Sequence, residues 1–298
     1  MTQTTGSLDV RWNHGTPRRA RTTEPGIQVH RYDDRTAILR QSKTVSYEAP
    51  FMYLLIGDRR ALLLDTGATA DPELFPLRAT VDDLLAQATG DPAYPLVVAH
   101  SHGHGDHVAA DPQFTDRPNT TVVGRDADSV REFFGLADAS PLDAAAFDLG
   151  ERELTILSSP GHHRAAITVH DHRTGFLLTG DTVLPGRLYA FDYPAFLATL
   201  DRLAAYAEQH HVTHVLGCHV EMSAEPGRDF PLGAAYQPGE RAPQMTVDQL
   251  RAVRDAAHAV AGKRGAHRFD DFIIVNEPRR RDMIRLLARG LAHKAIGR

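Results

Sequence analysis

The chain has 298 residues, 42% of them hydrophobic, with a formal net charge of -5 and a single cysteine. That length supplies one large domain or two small ones with ample core, and the acidic balance gives no global attraction to nucleic acid or to anionic membrane. One cysteine excludes an intrachain disulfide and a thiolate-rich zinc site, so any metal must sit on histidine and carboxylate.

Residues 1–25 are polar and aperiodic, contain PRRAR and EPG, and read as a flexible arm. They hold no apolar leader and no stretch reaches the length of a membrane span, so a cytoplasmic protein is expected. From Gly26 onward IQVHRY, TAILR, PFMYLLIGD and RALLLDTG read as successive strands. LRATVDDLLAQAT has helical spacing, and YPLVVAHS is a buried strand that runs straight into HSHGHGDH. TTVVG is a further strand, DADSVREFFG a short helix, and ELTILSS, AAITVHD and GFLLTGD three more strands. PAFLATLDRLAAYAEQH is a helix with Pro194 in its first turn, followed by the strand THVLGCH. Two batches of strands, each closed by helix and strand units, predict two sheets packed face to face with helices outside. Past Glu225 a Pro/Gly-rich stretch leads to the helix TVDQLRAVRDAAHAVAG and a basic tail. In that tail Arg279, Arg280, Arg281, Arg285, Arg289 and Lys294 form either a solvated helix face or a contact for substrate phosphates or carboxylates.

Residues 100–107, HSHGHGDH, gather four histidines and one aspartate. His102 and His104 are two apart, so an extended backbone presents both imidazoles on one side. Gly103 and Gly105 are expected to let the chain reverse, bringing Asp106 and His107 back as a second group of donors. Carboxylate with neutral imidazole suits zinc, iron or manganese. Three further residues share the same address, the end of an apolar strand: His162 in SSPGHHR, Asp181 in LLTGDT and His219 in LGCH. Alone, each reads as a turn residue or an exposed histidine, but beside the first cluster they complete a metal centre. Cys218 reads as a buried thiol and Ser101 as part of the metal loop.

The pattern His102-x-His104-x-Asp106-His107, then PGH ending at His162, GD ending at Asp181 and a late strand-end His219, resembles the metallo-β-lactamase-fold hydrolase superfamily, of the glyoxalase II, thioesterase and lactonase kind. The resemblance runs from about Gly26 to Ser223, with its parts in the family's order. It implies an α+β fold, a four-layer αββα sandwich over residues 26–225, with a C-terminal helical extension, residues 226–298, packed on the same domain. It implies that His102, His104 and His162 bind a first metal, that Asp106, His107 and His219 bind a second, and that Asp181 bridges them. Asp65, in LLLDTG, resembles the early motif whose aspartate stands behind the ligands, and His100 reads as a strand-end residue or a further support of this kind. His163 and Arg164 stand where the family usually has a small or hydroxyl residue, which leaves the register between His162 and His163 open; both are expected to face the substrate. Ala109 and Ala110 replace glycines often found after the DH pair. Tyr189 and Tyr193 are candidate hydrogen-bond donors to a substrate carbonyl, or packing residues.

The chemistry implied is hydrolysis by two divalent ions, zinc first, with iron or manganese as alternatives. A metal-bridging hydroxide would attack an activated acyl compound, a thioester, lactone or related ester or amide, with Asp106 orienting the hydroxide or shuttling its proton. The partner is a small-molecule substrate, and a homo-oligomer is left open. The segment after the sandwich is shorter than the helical domain of the glyoxalase II proteins, which weakens glutathione as the carrier. A mononuclear non-haem iron oxygenase like the persulfide dioxygenases, a β-lactamase, and a nuclease or nucleic-acid-binding member are the alternatives. His219 with the Asp106/His107 pair argues against the first, since one iron needs no second site. The acidic balance and the lack of an aromatic and basic stripe argue against the last.

Overall fold

In the computed structural model, which describes residues 6–17, 20–136 and 143–296, alternation along the strands sorts apolar side chains into separate cores. The first half runs β1 (Ile27–Arg31), β2 (Thr36–Gln41), β3 (Phe51–Ile56), β4 (Ala61–Leu64), α1 (Leu77–Thr89), β5 (Leu96–Ala99), the one-turn α2 (Gly105–Val108), β6 (Thr120–Val122) and α3 (Ala127–Phe134). Its six strands form one sheet in sequence order, antiparallel from β1 to β4 and parallel from β4 to β6. The second half runs β7 (Ala144–Asp148), β8 (Glu153–Ser158), β9 (Ile167–Asp171), β10 (Phe176–Gly180), β11 (Arg187–Ala190), α4 (Tyr193–Gln209), β12 (His214–Gly217), β13 (Gln244–Met245), α5 (Val247–Ala259), β14 (Gly265–Arg268), β15 (Ile273–Asn276) and α6 (Arg280–Ile296). Its main sheet has the order β13-β12-β10-β9-β8-β7, and β11, β15 and β14 make a smaller sheet.

Period-two alternation explains the layers. On β3, Phe51, Tyr53 and Leu55 enter the space between the sheets and meet Ile156, Val169 and Leu178 of the second sheet. Met52, Leu54 and Ile56 face the other way and pack with Leu77, Val81 and Leu85 of α1. The second sheet repeats the device, turning Leu157, Leu177 and Val215 toward Phe196, Leu200 and Leu203 of α4 and toward Leu250 and Val253 of α5. The result is helix, sheet, sheet, helix, the expected α+β sandwich. Each leucine so buried contributes roughly 2 kcal/mol. Local signals agree with the helix ends: Asp192 caps α4 ahead of Pro194, and Thr246 with Gln249 forms a capping box on α5.

Besides the unexpected short strands β7 and β11, two stretches differ from the sequence expectation. Residues 6–17, read as part of a flexible arm, lie against the sandwich. Trp12 is buried edge-on to Phe51 with ring centroids 4.9 Å apart, the Asn13 carbonyl accepts from Arg40 Nη1 at 2.9 Å, and Gly15 bridges Tyr236. One large aromatic and a few backbone bonds anchor the segment, and neither produces periodicity. Residues 1–5, 18 and 19 of that arm lie outside the described residues. Beyond Glu225 the chain adds strands as well as helices: β13 extends the second sheet, and β14 and β15 join β11. These strands are two to four residues long, too short for an alternating pattern to register.

Parallel pairing positions the functional loops. β4 and β5 run parallel in one sheet, and β10 and β12 in the other. Asp65, the 100–107 loop, Asp181 and His219 leave the carboxyl ends of these strands, where ligand sites of parallel sheets form.

Candidate metal centre

Each donor leaves its strand by a turn the sequence enforces. Gly180 ends β10 at φ +54°, and a Cβ there would lie 2.6 Å from Ser101 Cβ, so glycine alone lets the Asp181 turn approach the histidine loop. The loop itself reverses differently from expectation. Neither Gly103 nor Gly105 has positive φ among the described residues; Gly105 opens α2, and that single helical turn carries Asp106 and His107 back toward the strand ends. The His107 carbonyl then accepts from Thr66 N–H at 2.7 Å, tying the turn to the segment after β4.

Two groups of donor atoms hold the expected ligands, each with its ligand atoms within 4.8 Å of one another: His102, His104 and His162, and Asp106, His107, Asp181 and His219; a third set as close, Asp65, His107 and Cys218, lies behind His107. In the first, His104 Nδ1 lies 2.9 Å from His102 Nε2 and 3.1 Å from His162 Nε2. In the second, His219 Nε2 lies 3.1 Å from Asp106 Oδ2 and 3.3 Å from His107 Nε2. Asp181 reaches both, with Oδ2 3.7 Å from His162 Nε2 and Oδ1 3.6 and 3.5 Å from His107 and His219 Nε2. These are all seven residues singled out as ligands; of the adjacent pair, the His162 ring lies in the first group, while His163 Nδ1 accepts from Ala165 N–H at 3.1 Å.

His107, His162 and His219 are anchored through their other ring nitrogen. His162 Nδ1 donates to the Tyr189 carbonyl at 2.8 Å, and His219 Nδ1 donates to the Glu48 carbonyl at 3.0 Å. A carbonyl can only accept, so each Nδ1 carries a proton and each Nε2 faces the cluster. His107 Nδ1 is 2.9 Å from Asp65 Oδ2, which also accepts from Ser101 Oγ at 2.8 Å and Cys218 Sγ at 3.0 Å. Cys218 is thus a buried thiol, and Asp65 stands behind the His107 ring. His100 stays out of both groups; its Nε2 meets Asp111 Oδ1 at 2.8 Å, and Asp111 is held in turn by Thr66 Oγ1 and Arg125. The sequence reading missed Asp111, although it lies only four residues beyond the motif.

Electrostatics fit a cation. Burial pushes His102 well below the ordinary imidazole range, with the His107 charge adding to the effect, and pushes His162 down against the pull of Asp181. Burial also penalises a charged His219, but Asp181 and Asp106 outweigh it and lift the ring to about 9. Asp181 is driven well below the carboxylate range because the His219 and His107 charges overcome burial. Its Oδ1 is nevertheless buried without a hydrogen-bond partner among the described residues. An orphaned anionic oxygen ringed by imidazole nitrogens is what a bridging cation would satisfy.

A cleft of about 650 Å³, counted to its open mouth, lies over Asp106, Asp181 and His219 and is lined by Lys43, Arg187, Tyr189 and Glu221 among others. Tyr189, on β11, is therefore available to a bound molecule. Tyr193 is not: it begins α4, its ring packs between α4 and α5, and its hydroxyl donates to the Ala257 carbonyl at 2.7 Å. His163 and Arg164 line a separate hollow with Gly103 and Arg125, not the cleft over Asp181. In the basic tail, Arg289 Nη1 donates to both Asp229 oxygens at 2.7 and 2.8 Å, so it serves an internal ion pair; the Lys294 side chain lies outside the described residues. Among the described residues no helix is long and apolar enough to cross a membrane.

Residues 48–214 match the sequence profile of the Metallo-beta-lactamase superfamily. The chain is 27% identical over 160 residues to the hydroxyacylglutathione hydrolase of Methylococcus capsulatus, covering 53% of this chain and 59% of that protein. It is 26% identical over 202 residues to the acyl-coenzyme A thioesterase MBLAC2 of Homo sapiens, covering 56% and 72%. The chain spans about half the length of the hydroxyacylglutathione hydrolases it matches. The structure is similar to the metallo-beta-lactamase FIM-1 from Pseudomonas aeruginosa in its mono-zinc form, with a TM-score of 0.54 and 14% identity over 81% of this chain and 99% of that one. At that identity the likeness speaks for the fold alone.

Proposed function

Because the chain belongs to the metallo-beta-lactamase superfamily, we propose that it is a dinuclear metal-dependent hydrolase of thioesters or related activated acyl compounds. The observation that carries this reading is Asp181, one carboxylate reaching both donor groups and keeping one buried oxygen without a hydrogen-bond partner among the described residues. His102, His104 and His162 would hold one divalent ion, Asp106, His107 and His219 the other, and Asp181 both, with zinc the first choice for imidazole and carboxylate. Two such ions, when bound, supply Lewis acidity for the acyl carbonyl and lower the pKa of water from 15.7 toward about 7.

The protein's own groups set the geometry of attack. Burial disfavours the Asp106 anion, but the hydrogen bond and charge of His219 overcome it and bring the carboxyl to about 2. Asp106 lines the cleft beside Asp181 and His219, where its carboxylate would orient the attacking water or shuttle its proton. Burial and the Glu221 charge push the Tyr189 phenol upward, which keeps its proton in place for donation to a carbonyl in the cleft. Thioester hydrolysis is supported by the relatives named as hydroxyacylglutathione hydrolase and acyl-coenzyme A thioesterase. A complete second donor group supports the dinuclear reading over a one-iron oxygenase.

Elemental analysis of protein purified without added metal, beside a His219→Ala variant and a panel of thioesters, lactones and β-lactams, tests the proposal. Nearly two ions per chain, falling toward one in the variant, with thioester turnover, is the expected result. One iron per chain, unchanged in the variant, would remove the two-metal hydrolase.

A further inference from the structure

Lys43 lines the cleft beside Asp106, Asp181 and His219, and its side chain is almost wholly buried at 2% exposure. Yet among the described residues its ammonium forms no hydrogen bond and no ion pair. The carboxylates around it are already held by other groups. Glu221 accepts from Arg187 Nη1 at 2.6 Å and from Arg187 N–H at 2.7 Å, and Glu240 is gripped by both Nη atoms of Arg40. Glu24, earlier in the chain, accepts from Ser42 Oγ at 3.4 Å. Arg187, the other cation in the cleft wall, is spent on Glu221, Asp229 and the Phe230 carbonyl. Burial, with the Arg40 charge, pushes the Lys43 amine down to about 7 against the opposing pull of Glu240 and Glu221. That is the behaviour of a desolvated cation short of a counter-ion.

The fold goes to some length to bury this lysine. Lys43 leaves the end of β2, and the N-terminal segment closes over its stem. Gly15, at φ +86°, approaches so closely that a Cβ would lie 3.2 Å from Lys43 Cβ and 2.0 Å from the Ala235 carbonyl oxygen. A lysine covered in this way is unfavourable unless an anion completes the site.

We infer that Lys43 is a specificity-determining residue that takes a carboxylate of the substrate, so that the preferred substrate is an anionic acyl compound with a free carboxylate near its scissile carbonyl. The inference rests on the reading of this cleft as the substrate site of a hydrolase. A desolvated ammonium and a carboxylate form a charge-assisted pair, whereas a neutral substrate of the same length leaves the ammonium unpaired.

Succinate and butyrate have the same chain length and differ by one carboxylate, so the ratio of their dissociation constants isolates the second anion. Titration calorimetry on the metal-loaded wild type, Lys43→Met and Lys43→Arg reads that ratio. The wild type is expected to prefer succinate by about tenfold or more. The preference should collapse in Lys43→Met and survive in part in Lys43→Arg. Equal affinities in the wild type overturn the inference, and so does a preference that persists in Lys43→Met, since the ions themselves would then hold both carboxylates. Turnover of succinyl and butyryl thioesters of N-acetylcysteamine is followed in parallel. Turnover of neither counts against the hydrolase reading alone, because the binding ratio still decides for or against Lys43. Turnover of both, with the same kcat/KM ratio in wild type and Lys43→Met, overturns Lys43 as a specificity residue and leaves the hydrolase standing.

Discussion

His107 Nδ1 stands 2.9 Å from Asp65 Oδ2, with both side chains fully buried. Asp65 holds this place at φ +69°, a left-handed conformation that costs a non-glycine residue about 1 kcal/mol or more. The strain is met by four donors: Ser101 N–H on Oδ1, and Ser101 Oγ, Cys218 Sγ and His107 on Oδ2. The carboxylate thereby turns His107 Nε2 toward Asp106 and Asp181. Asp65→Asn is expected to weaken metal binding at the second donor group by about 10- to 100-fold while the fold persists. Competition against a chromophoric chelator measures this, and an unchanged affinity would mean that the carboxylate only packs.

The adjacent pair His162 and His163 divides its labour. His162 is buried and aims Nε2 at the first donor group, whereas His163 is partly exposed and borders the hollow near Arg125. His162→Ala should lower the metal content by about one ion per chain, and His163→Ala should leave it intact. Metal lost on the His163 substitution instead would move the ligand register by one residue.

Much of this centre was legible because its donors end apolar runs, and such runs are visible as composition: LVVA before His102, FLLTG before Asp181 and HVLG before His219. The two outer layers were legible for the same reason, through helical spacing in α1, α4 and α5. The strand β7 was not, since AAAFD carries little apolar bulk and its partner β8 decides its conformation. Tyr189 and Tyr193 show the limit more sharply. Four residues apart and of one type, they part because β11 turns one toward the cleft while α4 turns the other into the core. Lys43 was invisible for a third reason: Gly15 of the N-terminal segment folds back over its stem, a contact that no local pattern encodes.

Cys218 is fully buried between β12 and His219 and donates to Asp65. Burial, with the Asp65 charge, pushes its thiol well above the ordinary range, so the reactive thiolate is scarce at neutral pH. Iodoacetamide at pH 8 should therefore leave the native chain unmodified and alkylate it once after denaturation, as read by intact-mass spectrometry. Fast labelling of the native protein would show that the end of β12 opens to solvent.

Asp229 gathers three arginines from separate elements: Arg187 of β11, Arg268 of β14 and Arg289 of α6. It also begins the segment that carries Leu232 and Gly233 to the cleft wall, so this carboxylate joins the C-terminal helix to the site. Burial would raise its pKa, but the Arg187 charge and the bonds from Arg289 and Arg268 prevail and lower it from 3.8 to about 2. A folded-state value below the unfolded one means that the unfolded chain binds more protons between the two, so stability falls as pH falls through that window. The contribution of Asp229 is fully present above its unfolded value and is lost progressively as the pH approaches 2. Asp229→Asn, which mimics the protonated state while leaving the arginines without their anion, is expected to cost about 3 kcal/mol at neutral pH. Urea melts of wild type and variant at a series of pH values should give two curves that lie well apart at pH 7 and converge below pH 4. A gap that stays constant with pH would place the effect of the substitution in packing, not in the charge of this carboxylate.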